Sequence, residues 1–335
     1  MKEDNFAKVI KKRTEESEKT YSFNEKHNPR LPADYWFQNS SEGLVLFVVF
    51  YSRACRWAKC LGCNLPSMVS QYDVSYRNII KQCDFVFNYI LDEKQKIDLA
   101  KIILSNNGSI LDEETLSTSA LLYFITQMNI FCPNIKVLTI ESRPEYVDAA
   151  ELETMHRAIQ EGDTPTNLEI AIGFEAFDEE IRNNHFNKGL SLDVFEKLAK
   201  MLASYKFKLK TYFMLKPVPG LSEEEAINDI ADGVIYLDKI ATKYALSINM
   251  HLNPTYVAAG TPLEKAFREG NYEPPYMESV RKAILTAENK AISVFAGLFD
   301  EDLAVSGGSF IRSGDEELIE KLEAFNRTQD FSLIK

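Results

Sequence analysis

The 335-residue sequence has few cysteines and no long apolar run. Its cysteines number five, and three of them lie within nine positions, so the sequence does not predict a secreted disulfide framework. The longest apolar segment, residues 43–51, has half of the roughly 18 residues that a transmembrane helix needs. The first 13 residues contain neither the apolar centre nor the cleavage site of a secretory signal. We therefore expect a cytoplasmic protein without a membrane partner.

An excess of basic residues is also missing. The sequence has 38 Lys and Arg against 50 Asp and Glu, a formal net charge of −12 at pH 7. Because phosphate contacts usually come from a basic face, this balance argues against broad, non-specific nucleic-acid binding, although it permits a local basic groove. The 45% hydrophobic and 26% charged content is typical of a globular protein and excludes a disordered or collagen-like chain.

Six short apolar runs alternate with segments of helical periodicity, as in a parallel sheet whose strands are buried on both faces. The predicted strands are residues 44–51, 102–105, 137–141, 168–173, 209–215 and 246–252. The predicted helices are residues 73–91, 116–130, 149–159, 193–205, 223–244 and 277–288, with a terminal helix from Glu316 and a further strand-like segment at 292–297. Ser222 and Glu225 form a predicted capping box.

This alternation predicts an α/β fold, specifically a partial (βα)6 barrel with terminal extensions. We expect an N-terminal extension at residues 1–40, the barrel at 41–260, and a C-terminal extension at 261–335 that packs on the barrel.

Three cysteines with the spacing Cys-x4-Cys-x2-Cys follow the first predicted strand. Cys55, Cys60 and Cys63 are expected at its C-terminal end, where βα barrels carry their chemistry. Clustered thiolates suit a soft metal or an iron–sulfur cluster. A structural zinc site uses four protein ligands, whereas three cysteines on a cubane leave one iron open. The alternatives are a zinc site completed by a distant His or Cys, and buried reduced thiols. Cys83 and Cys132 lie in helical contexts and are predicted core residues.

The cysteine loop resembles the cluster motif of radical S-adenosylmethionine (SAM) enzymes, although their usual first gap is one residue shorter. Within that superfamily, the sequence looks most like the archaeosine-synthase radical SAM subunit and the nearby elongator-like branch. The shared stretches, spread over residues 42–315, are Glu141-Ser-Arg-Pro-Glu-Tyr146, Ile172-Gly-Phe-Glu175, Asn187-Lys-Gly189, Tyr212-Phe-Met-Leu-Lys-Pro217, Leu252-Asn-Pro-Thr-Tyr-Val257, Gly260-Thr261 and Gly270-Asn-Tyr-Glu-Pro-Pro275. The sequence departs from this branch in two ways. It is acidic, and we expect no appended nucleic-acid-binding domain.

The resemblance implies a [4Fe–4S] cluster held by Cys55, Cys60 and Cys63, with SAM on the fourth iron and an external electron donor of flavodoxin or ferredoxin type. Reductive cleavage of SAM would give a 5′-deoxyadenosyl radical that abstracts a substrate hydrogen. The further site residues that it implies are Asn106, Asn107, Gly108 and Ser109 as the turn for the methionine amino group, Arg143 for the carboxylate, Glu175 for the ribose hydroxyls, Asn253 for the adenosine or substrate, and Lys188 and Lys216 as catalytic cations facing the substrate.

Each of these roles has a structural alternative. The turn could be an ordinary loop, Arg143 could pair with Glu141 or Glu145, and the other charged side chains could be solvated. His251 could point into the barrel, but a core histidine is more common. The implied substrate is a lysine-modified 7-deazaguanine in tRNA, with cleavage of a carbon–nitrogen bond. A small molecule or peptide is the second possibility, and a zinc-binding α/β protein without radical chemistry is the third.

Overall fold

The strands follow one another across a single sheet in the order of the chain. The computed structural model describes residues 4–300 and 302–335. The strands, in the order β1-β2-β3-β4-β5-β6-β7-β8, are β1 Asp34–Ser40, β2 Gly43–Val49, β3 Leu99–Ser105, β4 Val137–Ser142, β5 Asn167–Glu175, β6 Lys208–Leu215, β7 Ile248–Pro254 and β8 Ser293–Ala296. The pairs β2–β3, β3–β4, β6–β7 and β7–β8 are parallel. All six predicted strands are confirmed as β2 to β7.

Helices separate the strands as the periodicity predicts. The α-helices are α1 Asn5–Glu16, α2 Tyr76–Phe85, α3 Glu93–Asp98, α4 Thr118–Phe131, α5 Ala149–Ile159, α6 Leu192–Ser204, α7 Glu223–Tyr244, α8 Pro262–Arg268, α9 Met277–Leu285 and α10 Glu316–Thr328. The capping box of Ser222 and Glu225 begins α7 and satisfies backbone groups at its first turn, as predicted. In the predicted helix 73–91, α2 begins at Tyr76, and a π-helix at Val86–Ile90 continues it after Phe85.

Two further strands extend the sheet beyond the six predicted ones. β1 pairs antiparallel with β2, and the ring of Trp36 stacks on Phe47 with 4.1 Å between ring centroids. Most β1 side chains remain half-buried, so the strand lacks the continuous apolar run by which buried strands are recognised. β8 corresponds to the strand-like segment predicted at 292–297.

The chain divides into two units of dense internal contact. The first unit contains residues up to 13, 22–58 and 65–171, and the second contains 14–21, 59–64 and 172–335. Phe50, Phe87 and Phe124 are buried together in the core of the first unit. In the second unit, the fully buried ring of Phe174 stacks on that of Phe213. The boundaries at residues 40 and 260 stay predictions.

Among the helices of residues 4–300 and 302–335, none is both long and apolar enough to cross a membrane.

Candidate functional site

The turn after β3 packs against the first cysteine of the predicted cluster loop. A Cβ atom added at Gly108 would lie 3.1 Å from the Cα atom of Cys55, so glycine lets the two backbones approach. The fully buried side chain of Asn106 donates hydrogen bonds to the hydroxyls of Ser52 (3.2 Å) and Thr115 (3.0 Å). The Asn106 side chain therefore holds the turn in place.

The other polar residues of this turn connect it to neighbouring segments. Asn107 has a φ of 55°, a left-handed conformation that asparagine tolerates, and its side-chain amide donates to the carbonyl of Leu65 at 3.2 Å. The hydroxyl of Ser109 accepts a hydrogen bond from the backbone N–H of Arg143 at 3.2 Å. The structure thus brings together the predicted turn, Cys55 and the residue that follows β4.

Arg143 makes the ion pair that the sequence left open as an alternative. Its Nε lies 2.5 Å from Oε1 of Glu145, and its guanidinium carbon lies 4.4 Å from the ring centroid of Trp57. Arg56 forms a bidentate pair with both carboxylate oxygens of Asp112, each at 2.6 Å, and this hydrogen bonding raises the pKa of Arg56. The guanidinium groups around the cysteine loop therefore carry structural contacts of their own.

The five cysteines fall into two environments. Cys55, Cys60 and Cys63 are partly exposed, whereas Cys83 and Cys132 are buried, as predicted for core residues. Burial raises the pKa of Cys83, and it raises the pKa of Cys132 to about 12, which keeps both as thiols at neutral pH. The three accessible thiols are the ones that fit the donor set of an iron–sulfur cluster.

The described residues contain no group of three or more His, Cys, Asp or Glu side chains arranged to hold a metal ion. Thiolate loops commonly take up their final arrangement together with the metal, because binding and local folding are coupled. The assignment of Cys55, Cys60 and Cys63 as ligands therefore rests on their spacing and accessibility, and it stays a prediction.

Glu175 and Lys188 form an ion pair above the backbone of β5. Nζ of Lys188 lies 2.7 Å from Oε1 of Glu175, with side chains only 10% and 13% exposed respectively. A Cβ atom added at Gly173 would collide with both of these atoms, so Gly173 provides the space that the pair occupies. The resemblance assigned the two residues separate roles, and the structure brings them together.

The ends of β5 and β6 have unusual backbone conformations. Glu175 has a φ of 75° and Lys216 has a φ of 61°, in the left-handed region that residues other than glycine, asparagine and aspartate seldom adopt. Such strain is common at functional sites. Lys216 pairs with Glu223 at 2.7 Å, and the hydroxyl of Tyr272 donates to the Lys216 carbonyl at 2.8 Å. Glu223 and Tyr272 were not among the predicted site residues.

A buried arginine supports the segment that carries Lys188. The fully buried Arg182 donates to the carbonyls of Leu190 (2.8 Å), Ala176 (3.1 Å) and Phe177 (2.6 Å). Its own carbonyl accepts a hydrogen bond from the N–H of Lys188 at 2.9 Å. Sequence reasoning missed Arg182, because nothing in its local sequence distinguishes it from a solvated arginine.

Asn253 lies near the C-terminal end of β7 and is half-buried. A Cβ atom added at Gly297 would collide with its Oδ1 atom and would lie 3.2 Å from Nε2 of His251. The small residue after β8 therefore leaves room for two polar side chains on one face of the sheet.

The fold has a solved counterpart of similar size. The structure is similar to that of queuine lyase from Clostridium spiroforme, solved bound to SAM and queuine, with a TM-score of 0.50 and 20% sequence identity; the match covers 80% of this chain and 96% of that one. This likeness confirms the predicted α/β partial barrel. No protein-family model matches the chain.

Curated relatives agree with the resemblance seen in the motifs. The chain is 27% identical to archaeosine synthase subunit beta from Methanosarcina acetivorans, over 77% of this chain and 72% of that protein. It is also 27% identical to an uncharacterized protein from Methanocaldococcus jannaschii, over 99% of this chain and 90% of that protein. Together the fold and the relatives confirm the predicted resemblance.

Proposed function

We propose that this chain binds a [4Fe–4S] cluster through Cys55, Cys60 and Cys63 and cleaves SAM reductively to start hydrogen abstraction. The supporting observation is the contrast between these three accessible thiols and the two buried ones, together with the turn at Gly108 that packs against Cys55. When bound, such a cluster supplies the electron that splits the SAM sulfonium into methionine and a 5′-deoxyadenosyl radical. An external flavodoxin- or ferredoxin-type protein would deliver this electron.

Several residues that follow the strands suit the polar groups of SAM. The turn Asn106–Ser109, which packs against Cys55, is assigned to the methionine ammonium group, whose N–H groups would donate to backbone carbonyls of the turn. Glu175 carries a carboxylate that can accept two bonds from the ribose diol. Arg143 would bind the methionine carboxylate after exchanging its contact with Glu145. Lys188, Lys216 and Asn253 are assigned to the substrate.

The name of the curated relatives supports a modified nucleoside as substrate. By that analogy, we propose hydrogen abstraction from a lysine-modified 7-deazaguanine in tRNA, followed by cleavage of a carbon–nitrogen bond. The relative from Methanosarcina acetivorans is named as one subunit of an enzyme, which is consistent with a second protein that delivers the tRNA.

The charge distribution favours a second candidate, a small molecule or a peptide. Five cations that follow the strands each pair with a carboxylate, and this leaves little positive potential for a phosphate backbone. These pairs are Arg53–Asp4, Arg56–Asp112, Arg143–Glu145, Lys188–Glu175 and Lys216–Glu223. The net charge of −12 also disfavours tRNA binding by this chain alone.

Metal content distinguishes the radical enzyme from a zinc protein. Protein purified without oxygen is expected to be brown and to contain about four irons per chain, as a single cubane requires. Colourless protein with one zinc ion per chain would contradict the proposal.

A salt titration of tRNA binding distinguishes the substrates. Counterion release makes tRNA affinity fall steeply with salt, so measurable binding at low salt that weakens as salt rises supports RNA as substrate. Negligible affinity for tRNA at low salt favours the small molecule as substrate.

A further inference from the structure

Helix α1 packs along the segment of the first unit that carries Cys55. Ala7 and Ile10 of this helix are buried, and Nε2 of Gln71 donates to the carbonyl of Ala7 at 3.0 Å. On the other side of the helix, Val9 is 38% exposed. The helix is therefore anchored along one face, although the function proposed above assigns it no role.

The start of α1 holds Arg53, which lies two residues before Cys55. Oδ1 of Asp4 accepts hydrogen bonds from the N–H groups of Phe6 (3.1 Å) and Ala7 (3.0 Å), and Oδ2 of the same carboxylate pairs with Nη2 of Arg53 at 3.2 Å. The Arg53 side chain is only 6% exposed, and its Nε and Nη1 atoms have no hydrogen-bond partner among the residues that the structure describes. Asp4 therefore supplies the closest compensation for this buried charge.

The ring of Phe6 contacts two guanidinium groups that flank Cys55 in the sequence. Its centroid lies 5.3 Å from the guanidinium carbon of Arg53 and 4.8 Å from that of Arg56. Both distances are in the range of cation–π attraction. One side chain of α1 thus contacts the residue two positions before Cys55 and the residue one position after it.

Arg13, near the end of α1, contacts the next part of the cysteine loop. Its Nη1 donates to the carbonyl of Arg56 at 2.5 Å, and its guanidinium carbon lies 5.8 Å from the ring centroid of Trp57. The guanidinium carbon of Arg143 lies 4.4 Å from the same ring. Trp57 therefore contacts two cations, one from α1 and one that follows β4.

The backbone that follows these contacts is strained. Ala58 has a φ of 55° and is buried. A left-handed conformation costs alanine free energy, and it persists where the surrounding structure fixes it. Ala58 lies in the gap between Cys55 and Cys60, which is one residue longer than in the motif that the loop resembles. The contacts of Arg56 and Trp57 with α1 directly precede Ala58 and supply this constraint.

We propose that α1 is a clamp that holds residues 53–58 in the conformation in which Cys55 binds the cluster. Phe6, Arg13 and Trp57 are positioning residues, since each acts through the backbone that carries Cys55. A loop that is already ordered loses less conformational entropy when it takes up metal, so it should release the metal more slowly. The role toward the cluster rests on the function proposed above, whereas the clamp on the loop does not.

Hydrogen exchange of the full chain without iron tests the clamp by itself. Phe6→Leu removes the ring but keeps an apolar side chain, and Arg13→Met removes the guanidinium. We expect the amides of residues 53–58 to exchange at least about tenfold faster in both variants, and those of β3 to exchange at the wild-type rate, because only local opening becomes easier. Val9→Ala, on the exposed side of the same helix, is the matched control and should change neither rate.

A wild-type exchange rate at residues 53–58 in both variants would overturn the proposal. If Phe6→Leu also speeds exchange in β3, the variant has lost more than the clamp. Arg13→Met then decides, because the Arg13 side chain is only half-buried and its removal leaves the apolar face of α1 in place.

The rate of iron loss measures the effect on the cluster. Protein reconstituted without oxygen is mixed with an excess of a ferrous chelator, and the absorbance of the iron–chelator complex is followed. We expect Phe6→Leu and Arg13→Met to lose iron at least about fivefold faster than wild type and Val9→Ala. Trp57→Phe keeps a ring for the two cations and should retain the slow rate, whereas Trp57→Leu should lose iron faster. A wild-type rate in both Arg13→Met and Trp57→Leu would overturn the role toward the cluster.

Failure of the clamp and failure of the proposed function give different results. If the wild-type protein takes up no iron, the proposed function fails, and hydrogen exchange still decides whether α1 holds the loop. If the wild-type protein binds about four irons per chain and the variants lose them no faster, the role toward the cluster fails and the proposed function stands.

Discussion

The carboxylate of Glu175 lies 2.7 Å from the ammonium group of Lys188, in space that Gly173 leaves open on β5. Both side chains are largely removed from water, so each charge stabilises the other. The backbone of Glu175 is left-handed, with a φ of 75°, so the chain turns at the end of β5 and leaves the extended conformation of the strand. We interpret this pair as a polar centre held ready for a ligand with hydroxyl groups.

Replacing Gly173 with alanine should disturb this pair without unfolding the protein. The new methyl group would collide with the ends of both side chains, which can move, so we expect the free energy of unfolding to fall by about 1 kcal/mol or less. Because Glu175 is then displaced from the proposed ribose contact, SAM affinity should fall about tenfold, as measured by calorimetry. Gly162→Ala is the control, since the nearest atoms to its methyl group belong to the side chain of Asn129, at 3.1 Å and beyond. Unchanged SAM affinity in Gly173→Ala would remove Glu175 from the SAM site.

Substitution of the five cysteines one at a time should divide them into two groups. Cys55→Ala, Cys60→Ala and Cys63→Ala should each lose most of the iron, because three cysteines are the minimum set for a site-differentiated cubane. Cys83→Ala should keep its iron. This variant should lose only about 1 kcal/mol of stability, because a small buried side chain is removed. Iron and sulfide analysis of anaerobically purified variants measures the division. Full iron content in any one of the loop variants would exclude that residue as a ligand.

Arg182→Gln should strongly destabilise the segment that carries Lys188. The substitution leaves buried carbonyls of Ala176, Phe177 and Leu190 without their donor, which we expect to cost about 3 kcal/mol or more. Arg157→Gln is the matched control, since Arg157 is 77% exposed and pairs only with a neighbour on its own helix; it should cost less than about 0.5 kcal/mol. Urea unfolding measures both. Equal stability of the two variants would contradict the role of Arg182.

The contact between Lys216 and Glu223 should make stability depend on pH in the acid range. Burial raises the pKa of Glu223, but hydrogen bonds from Lys216, Ser279 and the Tyr276 backbone outweigh burial and lower this pKa below its usual value of 4.5. A lowered folded-state pKa contributes stability above pH 4.5, and this contribution is lost as the pH falls through the folded value. The stability difference between wild type and Glu223→Gln should therefore shrink between pH 5 and about pH 3. A difference that is constant over this range would contradict the assignment.

The sequence predicted the parts of the fold that depend on local pattern. β2 to β7 were identified because buried parallel strands are short apolar runs, and α5 and α7 because their apolar spacing and caps coincide. β1 escaped notice because its half-buried side chains give it a mixed composition. Its place in the sheet depends on pairing with β2, which no local pattern records.

The candidate site was predictable only in its residue types. The spacing of Cys55, Cys60 and Cys63 and the polar residues after each strand are local features of the sequence. The pairing of Glu175 with Lys188, the left-handed turn at Lys216 and the burial of Arg182 depend on tertiary contacts. His251 was expected to be a core histidine and is buried, whereas its approach to Gly297, 46 positions away in the sequence, depends on tertiary structure.

Formation of 5′-deoxyadenosine from SAM tests the central claim most directly. Anaerobic wild-type protein with a strong reductant should convert SAM to methionine and 5′-deoxyadenosine in equal amounts, as chromatography would show, whereas Cys60→Ala should form neither. The absence of 5′-deoxyadenosine from wild-type protein that carries its full complement of iron would contradict the account.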